Sequence, residues 1–597
     1  MARTGVDKAD KAMTAKLFQS AMITLLIAEL TGALTAIIDS MLTGRFLGAG
    51  ALAAFGLGGP YFSIASIISG ILMVGSINMM TKAVGRGDSK GLSGVYSLTV
   101  TLGVALSALF CVGGLVFTEG LAGLFGAKAA SAEVFSGTVV YLRGIFIGAP
   151  GFIMFVVLTP MLQLDGAATL PKVASLVSAA VDIAGDLLNI FVFGGGMFGM
   201  GLASAIGHYA ALAVVLLHFA GKKKRSLRYS AKEMRAKNIA PLLKDGAPRA
   251  VCMLGRALLP ILLNALVLRI AGDAGVTALS AGTGSSFALG SLGWGIGGAV
   301  LMMSGIMVGE QNTRGLKTVL STAVKDIVIG VTALAAAVFC VSPFIAAVFI
   351  PEAGATRDMA TSALRCYACC LPFLAFNVSS AGYLQALSRV WASNLVNIGI
   401  EVALPAAAAY ALSSFTGITG VWLAFPIGQA LLSALILISA FAFRDKSRSG
   451  AEAYMFLPRG FGVPDGDLIE ASPQTVEESA AFAERLAGFC AARGVDAKTA
   501  NRLALCAEEM AVNVIRHGFT KDGKPHNLAV RVIVKDGAPV LRLRDDCVLF
   551  NFKEKAEKWE YDPENPEKGV GIRTVMAAAK DISYTSTMNT NNLIITV

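Results

Sequence analysis

The chain has 597 residues, of which 55% are hydrophobic and only 15% charged, a balance that excludes an ordinary soluble globular protein and points to a bilayer. Its net charge of +10 gathers in short segments between apolar stretches, so it is read as membrane topology, with no nucleic-acid partner expected. Nine cysteines are scattered, and the one cluster, Cys366, Cys369 and Cys370, lies in an apolar segment without histidines, which makes packing residues of them rather than metal ligands.

In chain order, Arg3, Lys8 and Lys11 lead into a full-length hydrophobic span with no small-residue cleavage site, so the first span is expected to stay in place. Roughly 20 apolar residues cross a bilayer as a helix. Candidate spans fall near 17–42, 55–80, 95–117, 134–158, 173–193, 199–219, 250–271, 276–308, 319–350, 361–384, 391–412 and 418–443. The expected architecture is an all-α polytopic membrane bundle of twelve transmembrane helices in two six-helix lobes, followed by a soluble α/β-sandwich domain. Its parts are 1–220 (first lobe), 221–249 (basic linker), 250–445 (second lobe), 446–464 (linker) and 465–597 (soluble domain). Residues 221–249 carry ten Lys/Arg against two acids, which marks them as cytoplasmic. "TKAVGRGDSKG" and "RDKSR" fall on the same side, so both termini are expected in the cytoplasm. The basic stretch is read as a solvated linker in preference to a site for membrane lipid or nucleic acid.

The halves repeat. "GRGDSKGL" (85–92) recurs as "GEQNTRGL" (309–316), an offset of 224, and Leu142, Arg143, Pro150, Leu162 and Gln163 recur 222 positions on as Leu364, Arg365, Pro372, Leu384 and Gln385. Two such bundles, each starting from the cytoplasm, are parallel repeats, an arrangement suited to alternating access. Within the spans a carboxylate is costly and needs a reason. Asp39 lies late in span one; Asp182 and Asp186, four apart, share a face of span five. Acids crowded in low dielectric repel one another, so this set is expected to take up H+ or Na+ in exchange for a cationic cargo. The plainer alternatives are a helix-end acid at the interface for Asp39 and a hydrogen-bonded structural pair for the other two. Glu29 and Glu401 are secondary candidates. Arg143 and Arg365, at equivalent places, are read as snorkelling or pairing inside a lobe. Pro60, Pro150, Pro160, Pro260, Pro372, Pro405 and Pro426 are hinges or kinked packing.

"IIDSMLTGRFLGAGALAAFG" (37–56), the hairpin at 85–92 and "DIAGDLLNIFVFGGGMFGMGLASA" (182–205) together resemble the MATE family, the multidrug and toxic compound extrusion transporters, over nearly all of 15–445. The resemblance implies export of organic, often cationic, compounds between two lobes, driven by inward flow of H+ or Na+. In that family a span-one acid and a span-five Asn-x-x-x-Asp pair build the ion site; Asp39 and Asp186 match, while Asp182 stands where the asparagine is usual. Members that use acids in spans seven and ten differ from this chain, which offers Arg256, Asn264, Arg269, Arg365 and Asn377 there.

Beyond "RDKSRSG" the pattern turns mixed α/β. We expect a strand near Leu468, a helix capped by Ser472-Pro473, and a helix from about Asp496 to His517. Strands at "LAVRVIV" and "VLRLRDD" follow, then a charged loop at 553–568, a helix opened by Gly-Val-Gly, and strands at "ISYTST" and "NLIITV". Glu509, Asn513 and His517 form a polar stripe opposite Leu503, Met510 and Val514, a pattern that solvent exposure also explains. With the strand-end acid Asp545 and "KGVGIR" (568–573), the order resembles the Bergerat (GHKL) ATP-binding fold, and "NRLALCAEEMAVNVIRHGF" (501–519) is similar to anti-sigma-factor serine kinases. That resemblance implies Glu509 as general base, Asn513 as Mg2+ ligand, Asp545 as adenine reader, and Gly569 and Gly571 as phosphate contacts. Cys547 and Leu549 depart from its pattern.

The expectation is a bacterial inner-membrane antiporter with a cytoplasmic domain that takes ATP and Mg2+. No Gly-x-x-x-x-Gly-Lys-[Ser/Thr] motor motif occurs. The rival is a membrane-bound serine kinase or anti-sigma-type regulator acting on a serine-bearing cytoplasmic protein, with the transporter-like half as sensor.

Overall fold

The computed structural model describes residues 2–167, 169–220, 227–350, 352–521, 524–535, 537–550, 570–588 and 590–597. Among them eleven helices are long and apolar enough to cross a bilayer: Lys11–Leu47, Gly50–Arg86, Ser89–Val116, Leu170–Phe193, Gly196–Phe219, Ala236–Ser280, Leu289–Gly309, Thr313–Phe349, Ala355–Ala386, Val390–Thr416 and Ile418–Ala442. A further span, fourth in order, is made by Ala132–Ile147 and Ala149–Leu164, bent by 49°. The bend has a local cause: Pro150 opens the second half without an N–H to donate, and a Cβ at Gly148 would stand 2.6 Å from Ala205 Cα. The sixth-to-seventh connection is shorter than the sequence suggests, because the seventh helix already begins at Ile239, inside the stretch read as linker. The backbone turns out of the helical conformation at Gly272 (φ 60, ψ −155), a kink between this helix and the eighth, which ends at Gly309. Large apolar side chains such as Leu109, Leu217, Phe344 and Phe415 remain on the outside, as lipid-facing surface does.

The internal repeat is conformational as well as sequential. Asp88 caps one helix by accepting from Gly91 N at 2.7 Å, and Asn312 caps its counterpart by accepting from Gly315 N at 2.9 Å. Just before these caps Gly87 (φ 72) and Gln311 (φ 52) are both left-handed; so are Gly166 (φ 78) and Ser388 (φ 61), 222 positions apart. The two hairpins also meet. A Cβ at Gly85 would lie 2.7 Å from Gly309 Cα, and one at Gly309 would lie 2.9 Å from Gly85 Cα, so glycine allows these backbones to touch.

The C-terminal domain is a five-stranded antiparallel sheet, β1 (Leu468–Ala471), β2 (Leu528–Lys535), β3 (Ala538–Asp545), β4 (Asp581–Thr587) and β5 (Thr590–Thr596), in the order β1-β2-β3-β5-β4. Helices α1 (Val476–Ala491), α2 (Ala497–Asn513) and α3 (Val570–Ala578) cover one face. Between them lies a core of Leu486, Leu503, Met510, Val532, Leu541 and Ile595. The cap of α1 is Thr475 rather than Ser472: Thr475 Oγ1 accepts from Glu478 N while Glu478 Oε2 accepts from Gln474 N at 2.7 Å. This reciprocal pair satisfies two helix-start donors and outcompetes a cap one turn earlier.

The opposite face of the sheet is not open to water. It carries Arg542 and Arg544 onto Glu310, just past the eighth span, with Arg542 Nη1 2.9 Å from the carboxylate and Arg544 Nη2 in direct contact. Burial alone would raise the Glu310 carboxyl, yet the guanidiniums of Arg544, Arg542 and Arg531 hold it below the usual range. The connecting segment is packed too: Tyr383 Oη donates to Met455 O at 2.6 Å, and Met455 and Leu457 are buried in the bundle's core cluster.

Candidate functional site

Asp39, from the first span, and Asp182 and Asp186, from the fifth, converge. Each offers a carboxylate oxygen, and these oxygens all lie within 4.8 Å of one another. The acids are 7%, 5% and 1% exposed. Asp39 Oδ1, Asp182 Oδ1 and both oxygens of Asp186 have no hydrogen-bond donor among the described residues. Two full charges at that separation repel by roughly 3 kcal/mol or more at an effective dielectric near 20. A proton or a metal cation between the acids removes the repulsion, and hard carboxylate oxygens suit Na+ as well as H+. The spacing in the sequence showed the pair on span five, the resemblance implied Asp39 beside it, and the packing of span one against span five puts the three together. Asn189, one turn beyond Asp186, and Tyr141 on the fourth span were missed. Both are buried, and among the described residues Asn189 Oδ1 and Tyr141 Oη have no hydrogen-bond partner.

The corresponding helices of the second lobe carry a different arrangement. Glu401 on the eleventh span lies 3.2 Å from Arg256 Nε on the seventh and accepts from Cys252 Sγ at 3.1 Å. Arg256 in turn lies over the Trp294 ring at 4.3 Å. Arg143 and Arg365 pair inside their lobes, Arg143 with Glu119 at 3.2 Å and Arg365 with Ser342 Oγ at 3.2 Å. Between the lobes is a cavity of about 130 Å3 lined by Leu25, Glu29, Arg249, Trp294, Gln385 and Asn397, among others. Apolar walls with a few polar groups are what small organic ligands need. Of the secondary candidates, Glu29 lines the cavity together with Arg249, and Glu401 is paired with Arg256.

In the C-terminal domain, α2 presents Glu509 and Asn513 one turn apart, both half-buried, to the start of α3. A Cβ at Gly571 would run into the Glu509 carboxylate and lie 3.4 Å from Asn513 Nδ2. Three sequence-expected residues thus share one small space, with a helix start that presents backbone N–H groups. The carboxylate and amide oxygens fit a hard cation such as Mg2+, and the helix start fits phosphate. Gly569 lies outside the described residues. His517, the third residue of the polar stripe, is exposed on a π-helical turn, Val514–Gly518. Asp545 ends β3, 5% exposed, and accepts from Asn591 Nδ2 at 2.7 Å and from Cys547 N at 3.1 Å. Burial pushes its carboxyl above the usual range, against the pull of these donors. Cys547, where the ATP-binding pattern expects glycine, is buried with its Sγ 2.9 Å from where a Gly518 Cβ would be. Its bulk is accommodated by Gly518, the last residue of the π-helical turn that follows α2.

The sequence profile of the MatE family matches residues 25–188 and 248–403, and that of the histidine kinase-like ATPase domain matches residues 469–597. The multidrug export protein MepA of Staphylococcus aureus is 23% identical over 440 residues, 71% of this chain and 94% of MepA. MepA of Staphylococcus saprophyticus is 24% identical over 200 residues, 33% of this chain and 44% of that protein. Among solved structures, MATE in complex with MaL6 and a multidrug resistance MATE family transporter of the MOP superfamily in an outward-facing conformation each superpose with a TM-score of 0.66. Both are 20% identical, and each match covers 71% of this chain and 94% of the other. Those likenesses fix the fold of the bundle as two lobes around a central cavity. The chain belongs to the MatE family and carries a histidine kinase-like ATPase domain at its C-terminal end.

Proposed function

We propose that the protein is an antiporter of the bacterial cell (inner) membrane, with both termini cytoplasmic. It exports organic, chiefly cationic compounds in exchange for H+ or Na+ and is regulated by nucleotide at its C-terminal domain. The observation that carries the reading is the set of three buried carboxylates with no base paired to them among the described residues. Their charge is satisfied by a small cation or by rearrangement that brings in cargo, and the two states compete for the same acids. Glu29 supplies the acid that faces cargo in the cavity between the lobes, with Trp294 as an aromatic surface. The names of the Staphylococcus relatives favour drugs as cargo.

Reconstituted into liposomes, the protein should expel a fluorescent organic cation when a pH or sodium gradient is imposed. Asp39→Asn should abolish this flux and Glu509→Gln should only modulate it. No flux under either gradient overturns the reading.

In the ATPase domain, Asn513 would hold Mg2+, Asp545 would accept the adenine amino group, and the start of α3 would face the phosphates. Bound ATP would supply a transferable phosphoryl group. Glu509 is placed to take a proton from an attacking hydroxyl, a base that binding alone does not need. Its retention favours the second reading, a serine kinase acting on a cytoplasmic regulatory protein. Phosphorylation of a serine-bearing partner that vanishes in Glu509→Gln would support it, and nucleotide titration of the full chain decides first whether the domain binds at all.

A further inference from the structure

A cluster of polar contacts outside the two sites lies where the outer face of the sheet meets the bundle. Arg542 spans both lobes: it pairs with Glu310 beside the second-lobe hairpin and donates through Nη2 to Gly85 O of the first-lobe hairpin. Around it, Ser583 Oγ donates to Gly87 O at 2.7 Å, Met588 N donates to Gln163 O at 3.1 Å, and Arg314 pairs with Glu470 at 2.8 Å. The first two ties hold the first lobe and the third holds the second. They surround the place where Gly85 and Gly309 touch. Access to the central cavity from this side requires the hairpins to part, and one rigid sheet cannot follow both.

The same strand end belongs to the nucleotide site. Three consecutive residues divide the work: Arg544 holds Glu310, Asp545 is the candidate adenine reader, and Asp546 holds Lys16 of the first span at 3.3 Å. Across the β3–β5 ladder Arg544 faces Asn592 and Asp545 faces Asn591. Each pair is bonded, Arg544 Nε to Asn592 Oδ1 at 2.6 Å and Asn591 Nδ2 to Asp545 Oδ1 at 2.7 Å. Displacement of Asp545 therefore moves residues that contact each lobe.

We propose that the outer face of the sheet is a clamp holding the cytoplasmic ends of the two lobes together, and that nucleotide at Asp545 sets its strength through Arg544 and Asp546. The clamp stands on the contacts alone; its coupling rests on the nucleotide-binding reading of Asp545. Linkage makes the effect reciprocal, so a broken clamp must alter nucleotide affinity by the factor that nucleotide alters the clamp.

The test is hydrogen exchange of hairpins 85–92 and 309–316 in the full chain in lipid nanodiscs, with and without ATP and Mg2+, beside a titration with a fluorescent ATP analogue. Glu310→Gln should raise exchange in both hairpins at least about fivefold and shift analogue affinity by a similar factor, within the usual range of allosteric coupling. Lys16→Gln alters a side chain that is 73% exposed, so it keeps the fold, and it should raise exchange in hairpin 85–92 alone. Unchanged protection in both variants overturns the clamp whether or not nucleotide binds. Nucleotide that binds the wild-type chain without changing protection overturns the coupling. An analogue that does not bind at all refutes the nucleotide reading, and the two variants still decide the clamp.

Discussion

The duplicated halves place charge on equivalent helices and use it in opposite ways. Spans one and five bring together Asp39, Asp182 and Asp186 with no base paired to them among the described residues, whereas spans seven and eleven bring together Arg256 and Glu401 at 3.2 Å. A buried acid with a base is already neutralised, and a small cation has little to offer it. Buried acids without one are the groups we propose to take a cation from solution. Glu310 stands beyond both, an acid enclosed by Arg542 and Arg544 of another domain. What surrounds each carboxylate, more than its depth, separates the proposed ion coupling from internal bracing and from docking.

The sharpest way to break this comparison is to neutralise one acid of each kind. Asp39→Asn or Asp186→Asn should lower gradient-driven efflux by at least about 100-fold, some 2.7 kcal/mol in rate terms, measured as initial rates in liposomes. Comparable efflux from both variants would remove the first lobe from coupling. Glu401→Gln should leave coupling intact while lowering stability by about 2 kcal/mol, the scale of a hydrogen bond to a charged group, read from thermal melts in detergent. Loss of coupling instead would show the two lobes to be alike.

The docked acid makes a prediction about pH. Because its arginines hold the Glu310 carboxyl below its unfolded value, the stability it contributes is present above the ordinary glutamate pKa and is lost only as pH falls through the depressed one. Protection of hairpin 309–316 from exchange should therefore persist from pH 7 to pH 5. Arg143→Gln marks the small end of the scale. Its partner Glu119 is 71% exposed and Arg143 itself 48%, so melting should change by under about 0.5 kcal/mol.

Much of this was legible in residue order. Runs of apolar side chains gave twelve spans because the bilayer leaves a helix no other length, and the repeat pinned corresponding positions such as Gly87 and Gln311, both left-handed. In the tail, alternation gave the strands, and fourfold spacing put Glu509 and Asn513 on one face of α2. The cap of α1 was misread because Ser472-Pro473 and Thr475 are both plausible starts, and only the Glu478 contact to Gln474 N chooses. The docking of Arg542 and Arg544 was illegible, since an arginine alternating along a strand looks like any solvated charge.

The sequence by itself determined the oily bundle, its duplication, the switch to a mixed α/β domain and the chemical kind of each candidate group. Those follow from period, composition and length, which act over a few residues at a time. Tertiary structure brought Asp39 against Asp182 and Asp186 across 143 and 147 positions of chain, and it decided that Glu401 has a base and that the outer sheet face is covered by the membrane domain. A charge is defined by what lies within a few ångströms of it, and those neighbours come from distant parts of the chain.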